Sequence, residues 1–358
     1  MIRINNIYQG NVIDVLKKFP DNFIDCCITS PPYFGLRDYG TAKWEGGDKK
    51  CDHSYFLGGH GEKSLLQTRS QGTQQYYYKD ICKKCGAVRK DDQIGLEKTP
   101  ELYVQKLTTI FNEVKRILKK EGTLWLNLGD SYNGSGQDSG KKNGNMSQQI
   151  GNRKVGEANP TKGINIKGIK PKDLIGIPWM VAFALRLDGW YLRQDIIWSK
   201  PNPMPESVAD RCTKSHEYIF LLSKSRQYYY DSESIKERAS QNRWGGHNAP
   251  DFNNSKGDYN GLNHERDMMP NIRNKRDVWT VNTESYSEAH FATFPVKLII
   301  PMIKAGCPKN GIVLDPFIGS GTVGFVARQY NRNYIGIELN QDYIKLAKKR
   351  IDSLGLFK

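Results

Sequence analysis

The 358-residue sequence predicts an α/β sandwich built on a largely parallel sheet. Three observations predict it. Strand-like and helix-like patterns alternate over most of the chain. Near the start, the apolar run Phe23-Ile24-Asp25-Cys26-Cys27-Ile28 reads as a buried strand that breaks off at Thr29-Ser30-Pro31-Pro32-Tyr33. Near the end, Ile312-Val313-Leu314 leads through Asp315-Pro316-Phe317-Ile318-Gly319-Ser320-Gly321-Thr322 into the helical spacing of Val323, Phe325, Val326 and Ala327. That is a strand, a glycine turn and a helix.

Taken in order, residues 2 to 9 read as a short strand. Asn11 to Phe19 reads as a short helix, with Val12, Val15, Leu16 and Phe19 on one side and Gly10-Asn11 as the junction. The loop after the strand at 23 to 28 is rigid, because Pro31 and Pro32 have fixed φ and no N–H. It therefore offers carbonyl oxygens and the Ser30 hydroxyl, with Tyr33 as a flat wall. Such a pocket suits a planar ring bearing an NH2 group; the pentapeptide alone reads equally as a turn capping a strand. Residues 40 to 95 are rich in Gly, Lys and Tyr with little period, and need another device to stay ordered. Cys51-x-His53 and Cys82-x-x-Cys85-Gly86 supply a candidate, since two close pairs of ligands can close a Cys3His zinc site. Its role would be structural, because four protein ligands leave no open position. His60 is a rival ligand, and four unconnected loop residues are the bland alternative.

Thr99-Pro100-Glu101 is a helix start. The apolar stripe Tyr103, Leu107, Ile110, Phe111, Val114, Ile117 and Leu118 then runs as core until Gly122, and Thr123 to Leu128 follows as a strand. Gly129-Asp130-Ser131-Tyr132 lies at its end, within reach of a ligand. Residues 131 to 170 are rich in glycine, asparagine and lysine and read as a flexible basic loop, either closing over a polyanion or inert. A helix from 172 to 188, a strand from 190 to 198 and a strand from His216 to Leu222 come next. Residues 226 to 276 are polar, with Tyr228-Tyr229-Tyr230, Arg238, Arg243, Arg273 and Arg276. A helix from Pro295 to Gly306 precedes the glycine turn. Gly319 and Gly321 permit close approach of a ligand to the main chain. About twenty residues on, the strand Tyr334-Ile335-Gly336-Ile337 ends in Glu338, a carboxylate suited to the hydroxyls of a ribose. A nicotinamide-type nucleotide fold is the rival reading, but the turn lacks the usual third glycine. A closing amphipathic helix carries Tyr343, Ile344, Leu346, Ala347 and Ile351.

With 53 Lys and Arg against 38 acidic residues, the formal net charge is +15, which favours a polyanionic partner. No apolar run approaches the roughly eighteen residues of a membrane span, and Met1-Ile2-Arg3-Ile4 leads into a strand instead of a signal peptide. The expectation is a soluble, intracellular, cytoplasmic protein without membrane association. Seven cysteines without a regular framework fit a reducing compartment.

Ser30-Pro31-Pro32-Tyr33, together with the Asp315 to Thr322 turn and Glu338, resembles the motifs of DNA amino-methyltransferases of the restriction-modification or orphan type. The catalytic motif comes first and the cofactor motif last, a circularly permuted order that resembles the β class of that family. The resemblance covers nearly the whole chain outside residues 40 to 95, 131 to 170 and 226 to 276. It implies a single Rossmann-like methyltransferase domain over residues 1 to 358, acting on double-stranded DNA with S-adenosylmethionine. By resemblance, Ser30, Pro31, Pro32 and Tyr33 are catalytic, and Asn11, Phe294, Asp315, Phe317, Gly319, Gly321 and Glu338 bind the cofactor. Phe294 belongs to the block His290-x-Ala292-x-Phe294-Pro295, which is similar to the family's holder for the methionine end. Asn11 departs from the acidic residue usual at its position. The stretch Trp198 to Pro203 through Ser215-His216-Glu217 also resembles a family block, without a catalytic role for His216 or Glu217. Residues 226 to 276 fall where the family recognises its DNA sequence, and a cognate restriction endonuclease is an implied partner. Members with Ser at position 30 resemble cytosine-N4 enzymes, with adenine-N6 second. A non-catalytic zinc-containing DNA-binding protein is the competing class, and an RNA or protein methyltransferase a third.

Overall fold

A computed structural model of the chain describes residues 2–35, 37–38, 41–56, 75–77, 81–134, 159–160, 166–238, 272–286 and 289–354. Eight of its strands share one sheet: β1 (Asn6–Gln9), β2 (Ile24–Thr29), β3 (Leu118–Leu128), β4 (Tyr191–Ser199), β5 (His216–Ser223), β6 (Val278–Thr280), β7 (Ile312–Asp315) and β8 (Asn333–Glu338). Their order in space is β1-β8-β7-β2-β3-β5-β4-β6. Only β5 runs against its neighbours; the other pairings are parallel. The chain steps one way from β2 to β3 and the other way from β7 to β8. Strand order therefore reverses between β7 and β2, where ligands bind in open α/β sheets.

Helices cover both faces. α1 (Val12–Leu16), α2 (Pro100–Ile117) and α3 (Ile177–Leu187) pack in succession, as do α4 (Val296–Gly306), α5 (Thr322–Gln329) and α6 (Gln341–Asp352). Burial follows from this layering. Cys26 through Thr29 are all fully buried, as a central parallel strand requires, so β2 reads as an unbroken apolar run. Cys26, Ile28 and Trp125 pack with Leu298, Ile299 and Val326 in one cluster. The stripe predicted for α2 is buried from Tyr103 to Ile117, but the helix stops there instead of at Gly122. Leu118 already pairs with Ile24, and Thr123 pairs with Cys26, so the residues between bulge out of the ladder. Leu118 is buried in either conformation, which is why apolar spacing could not place the boundary.

The chain divides into two compact units. The first comprises Met1–Pro31, Pro100–Ser131 and Leu174–Lys358 and holds the sheet and all six helices. The second comprises Pro32–Thr99 and Tyr132–Asp173. Its described residues form short antiparallel pairs, Lys43–Glu45 with Val88–Lys90 and Ser54–Phe56 with Gln75–Tyr77. The buried apolar residues described in this unit are Phe34, Cys82, Ala87, Ile94 and Ile166. Much of the basic loop expected at 131 to 170 and of the polar region at 226 to 276 lies outside the described residues. At the described ends of the latter, Arg273 and Arg276 both donate to Glu237, at 3.0 and 2.6 Å, and Tyr230 stacks on Trp125. Among the described residues no helix is long and apolar enough to cross a membrane.

Candidate active site

At the reversal point, Thr29 ends β2 and Asp315 ends β7. The Thr29 hydroxyl donates to Asp315 Oδ1 at 2.7 Å, although the two residues lie 286 apart in sequence. The Phe317 N–H donates to the same oxygen at 3.1 Å. Among the described residues Asp315 Oδ2 accepts from none. Burial pushes the Asp315 carboxyl up to about 7, against the pull of the Thr29 and Phe317 donors and with a further upward push from the charge of Glu338. Ser30 follows Thr29 directly and is half-buried, and Pro31 is buried. The motif then crosses units: Ser30 and Pro31 belong to the first, Pro32 and Tyr33 to the second.

The glycine turn sits at the N-terminus of α5. Gly319 has φ +48° and Gly321 φ +83°, both in the left-handed region. At Gly321 a methyl group would also come within 2.8 Å of the Ala347 side chain, so both conformation and space demand glycine there. The Gly319 N–H donates to Glu338 Oε2 at 3.0 Å and the Asn340 N–H to Oε1 at 2.9 Å. Burial raises the Glu338 carboxyl above the usual range, with these backbone donors opposing. The Gly10 N–H donates to the Glu338 carbonyl at 3.1 Å, which brings Asn11 to the same edge of the sheet. Asn11 caps α1 there, its Oδ1 accepting from the Ile13 N–H at 3.0 Å. Phe317 is half-buried, and Phe294 packs against the core cluster just before α4. Two carboxylates raised by burial, beside left-handed glycines, suit a ligand carrying both an ammonium and a diol.

The four predicted metal ligands meet inside the second unit. Cys51 Sγ lies 3.7 Å from Cys82 Sγ, Cys85 Sγ lies 3.5 Å from His53 Nδ1, and all four ligand atoms fall within 4.8 Å of one another. Zinc–sulfur and zinc–nitrogen bonds of ordinary length imply tetrahedral edges of about 3.8 Å between sulfurs and about 3.6 Å between sulfur and nitrogen. The set can therefore hold such an ion. Gly86, at φ +75°, donates its N–H to the Cys82 carbonyl, and Cys82 donates to the Ala87 carbonyl, each at 2.8 Å. The His53 ring stacks on Trp44 with 4.5 Å between centroids. A backbone N–H from Ala87 outweighs burial at Cys85 and pulls its thiol down to about 6. His60, the rival ligand, lies outside the described residues.

Other groups at the carboxyl edge have partners that the sequence does not show. Thr29 was read only as the start of a loop, because its partner is remote in sequence. The Asp130 carboxylate accepts N–H bonds from Gly176 and Ile177 at 3.0 to 3.1 Å, capping α3 from outside the helix. Lys214 donates to the Asp130 carbonyl, Lys200 pairs with Glu217, and burial lowers the pKa values of Lys214 and His216. The Gly176-Ile177-Pro178 helix start was a usable signal; the distant acid that caps it was not.

The sheet has the Rossmann-like methyltransferase fold. The PvuII DNA methyltransferase (cytosine-N4-specific) aligns over 98% of this chain and 87% of its own, with a TM-score of 0.56 at 15% identity. A Thermus thermophilus protein, a DNA modification methylase by its description and solved in complex with S-adenosyl-L-methionine, aligns over 98% and 93%, with a TM-score of 0.52 at 17% identity. At such identities the likeness concerns the fold. Sequence comparison goes further: the DNA methylase family model matches residues 24–349. The Type II methyltransferase M.Cfr9I of Citrobacter freundii is 39% identical over 350 residues, 96% of this chain and 87% of the relative. The chain belongs to the N6/N4 DNA methylase family and, within it, to the Type II DNA methyltransferases.

Proposed function

We propose that this chain transfers a methyl group from S-adenosylmethionine to the N4 amine of a cytosine flipped out of double-stranded DNA, with adenine N6 as the second reading. The observation that carries the proposal is the Thr29–Asp315 hydrogen bond, which ties the strand leading into Ser30 to the strand leading into the glycine turn. Asp315 would hold the ammonium of the cofactor and Glu338 its ribose hydroxyls. Gly319, Gly321 and Phe317 would line its path, Phe294 the methionine end and Asn11 the adenine end, through the amide NH2 left over from capping α1. When bound, the cofactor supplies an electrophilic methyl group on a sulfonium.

The base is the harder partner. An exocyclic amine is a poor nucleophile because its lone pair is delocalised into the ring. The Ser30 hydroxyl and the Pro31 carbonyl would each accept one N–H, drawing the hydrogens out of plane and localising the lone pair. Pro32 fixes the backbone that follows, and Tyr33 would stack on the flipped ring. No strong base is needed, since the proton becomes acidic only after transfer and leaves to water. The resemblance of Ser30 to the serine of cytosine-N4 members of the family favours cytosine.

The charge of +15 supports a DNA partner. On this reading a single catalytic domain acts in the cytoplasm, residues 226 to 276 recognise the DNA sequence, and 131 to 170 close over the duplex. A cognate restriction endonuclease cuts the same site unmethylated. Cys51, His53, Cys82 and Cys85 support a structural zinc in the insertion at 40 to 95. Nucleoside mass spectrometry of DNA incubated with protein and cofactor is expected to show N4-methylcytosine. Only N6-methyladenine would overturn the base and leave the mechanism; no methylated base, with cofactor bound, would overturn transfer itself.

A further inference from the structure

Two observations in the second unit lie outside that mechanism. The first is the ligand cluster, whose separations of 3.7 and 3.5 Å match a tetrahedral zinc site. The second is the seat of Gly95. Its carbonyl accepts from the Gly35 N–H at 2.7 Å, and its own N–H donates to Glu97 Oε2 at 2.8 Å. Gly95 has φ +96°, and a methyl group there would come within 2.7 Å of the Tyr33 carbonyl oxygen and 3.3 Å of that of Pro32. The backbone at 95 thus lies directly against the backbone of the catalytic motif.

A short path joins the two. Cys82 and Cys85 lead through Ala87 into the strand Val88–Lys90, whose partner Lys43–Glu45 leads to Cys51 and His53. The strand pair is closed at one end by the cluster. At the other end Asp91 accepts from the Thr41 hydroxyl at 3.0 Å and the Gln93 N–H at 3.1 Å, and buried Ile94 leads into Gly95. Few apolar residues are buried along this route, so burial alone holds it weakly, and a metal is the usual staple for such a segment.

We infer that Cys51, His53, Cys82 and Cys85 bind one zinc ion, and that this ion positions Tyr33 through the strand pair and the Gly95–Gly35 contact. The inference rests on the reading of Tyr33 as the wall of the base pocket. Tyr33 would touch the base; Gly95 and the metal act through it as positioning groups. Losing the metal leaves the Asp315 and Glu338 end intact and frees the loop.

Elemental analysis of full-length protein purified without chelator is expected to give one zinc per chain, and cobalt substitution a thiolate charge-transfer band. Hydrogen exchange of the chelator-stripped chain should then quicken at residues 33 to 35 and 93 to 97. β7, β8 and α5 should keep their protection, and calorimetric affinity for S-adenosylmethionine should not change. Gly95→Ala should keep its zinc yet methylate DNA about a hundredfold more slowly, the scale of a misplaced catalytic group. A chain without stoichiometric metal, exchange at 33 to 35 indifferent to its removal, or Gly95→Ala at the native rate would each overturn the inference. If the native chain methylates no DNA, the proposed function fails, and metal content and exchange still decide this one.

Discussion

The two compact units of this chain stay folded by different means. In the first, buried residues such as Leu16, Ile28, Trp125, Phe220 and Ile335 fill both sides of a sheet. Burial of such side chains contributes about 1.5–3 kcal/mol each, so order there is spread over many contacts. In the second, the described residues show a ligand cluster, short antiparallel strand pairs and single contacts such as Gly35 to Gly95. Groups proposed to hold the cofactor stand on the first kind of support, and Tyr33 stands on the second. A distributed support tolerates the loss of one contact, whereas a local one does not.

Substitutions can break or sharpen that contrast. The largest effect is expected from Ser30→Ala, which removes an acceptor needed only as the amine becomes tetrahedral. Turnover should fall about 10²–10³-fold with cofactor affinity nearly unchanged, as labelled-methyl transfer and calorimetry would report. Glu338→Ala and Asp315→Asn should weaken S-adenosylmethionine binding by about 10–100-fold, the worth of a charged hydrogen bond, while DNA affinity measured by fluorescence anisotropy holds. Equal losses of both affinities would show that the two carboxylates do not serve the cofactor alone.

Acid–base titration sharpens it further. The native chain holds the Asp315 proton up to about pH 7, and the unfolded chain releases it near pH 4. Between those values the native state binds more protons, so stability of the cofactor-free chain should fall as pH rises and level off above 7. Glu338 is shifted in the same direction. Cofactor affinity should move oppositely, rising over that window as Asp315 gains the charge that pairs with an ammonium. Asp315→Asn should flatten both profiles in urea melts and calorimetry. The smallest effect is expected from Thr29→Val, which keeps shape and loses one donor. It should cost about 1–2 kcal/mol in urea unfolding at neutral pH and move the stability window upward.

Local backbone demands made part of this site legible. Left-handed glycines at 319 and 321, consecutive prolines at 31 and 32, and ligand pairs spaced by one and two residues announce themselves without tertiary information. The helix stripe from Tyr103 to Ile117 did so as well. Adjacency was harder: the Thr29 bond that joins β2 to β7 follows from register, which no local pattern encodes. Asn11 carried two signals at once, and its role as an N-cap was passed over for a ligand contact. Tyr228 to Tyr230 lie at the start of a stretch read only as polar; Tyr230, itself exposed, stacks on buried Trp125, and Tyr228 accepts from Arg193.

The spatial order of the sheet has a consequence for synthesis. β1 is an edge strand whose sheet neighbour is β8, and β2 lies between β3 and β7. β1 thus waits for β8, and Asn6 meets Ile335 only when the residues between them have emerged. Contacts of such long sequence separation slow folding and leave apolar strands exposed in the meantime. A nascent chain stalled before Ile312 would carry Ser30 and its prolines beside β3 but without β7, and would expose that flank of β2 to chaperones.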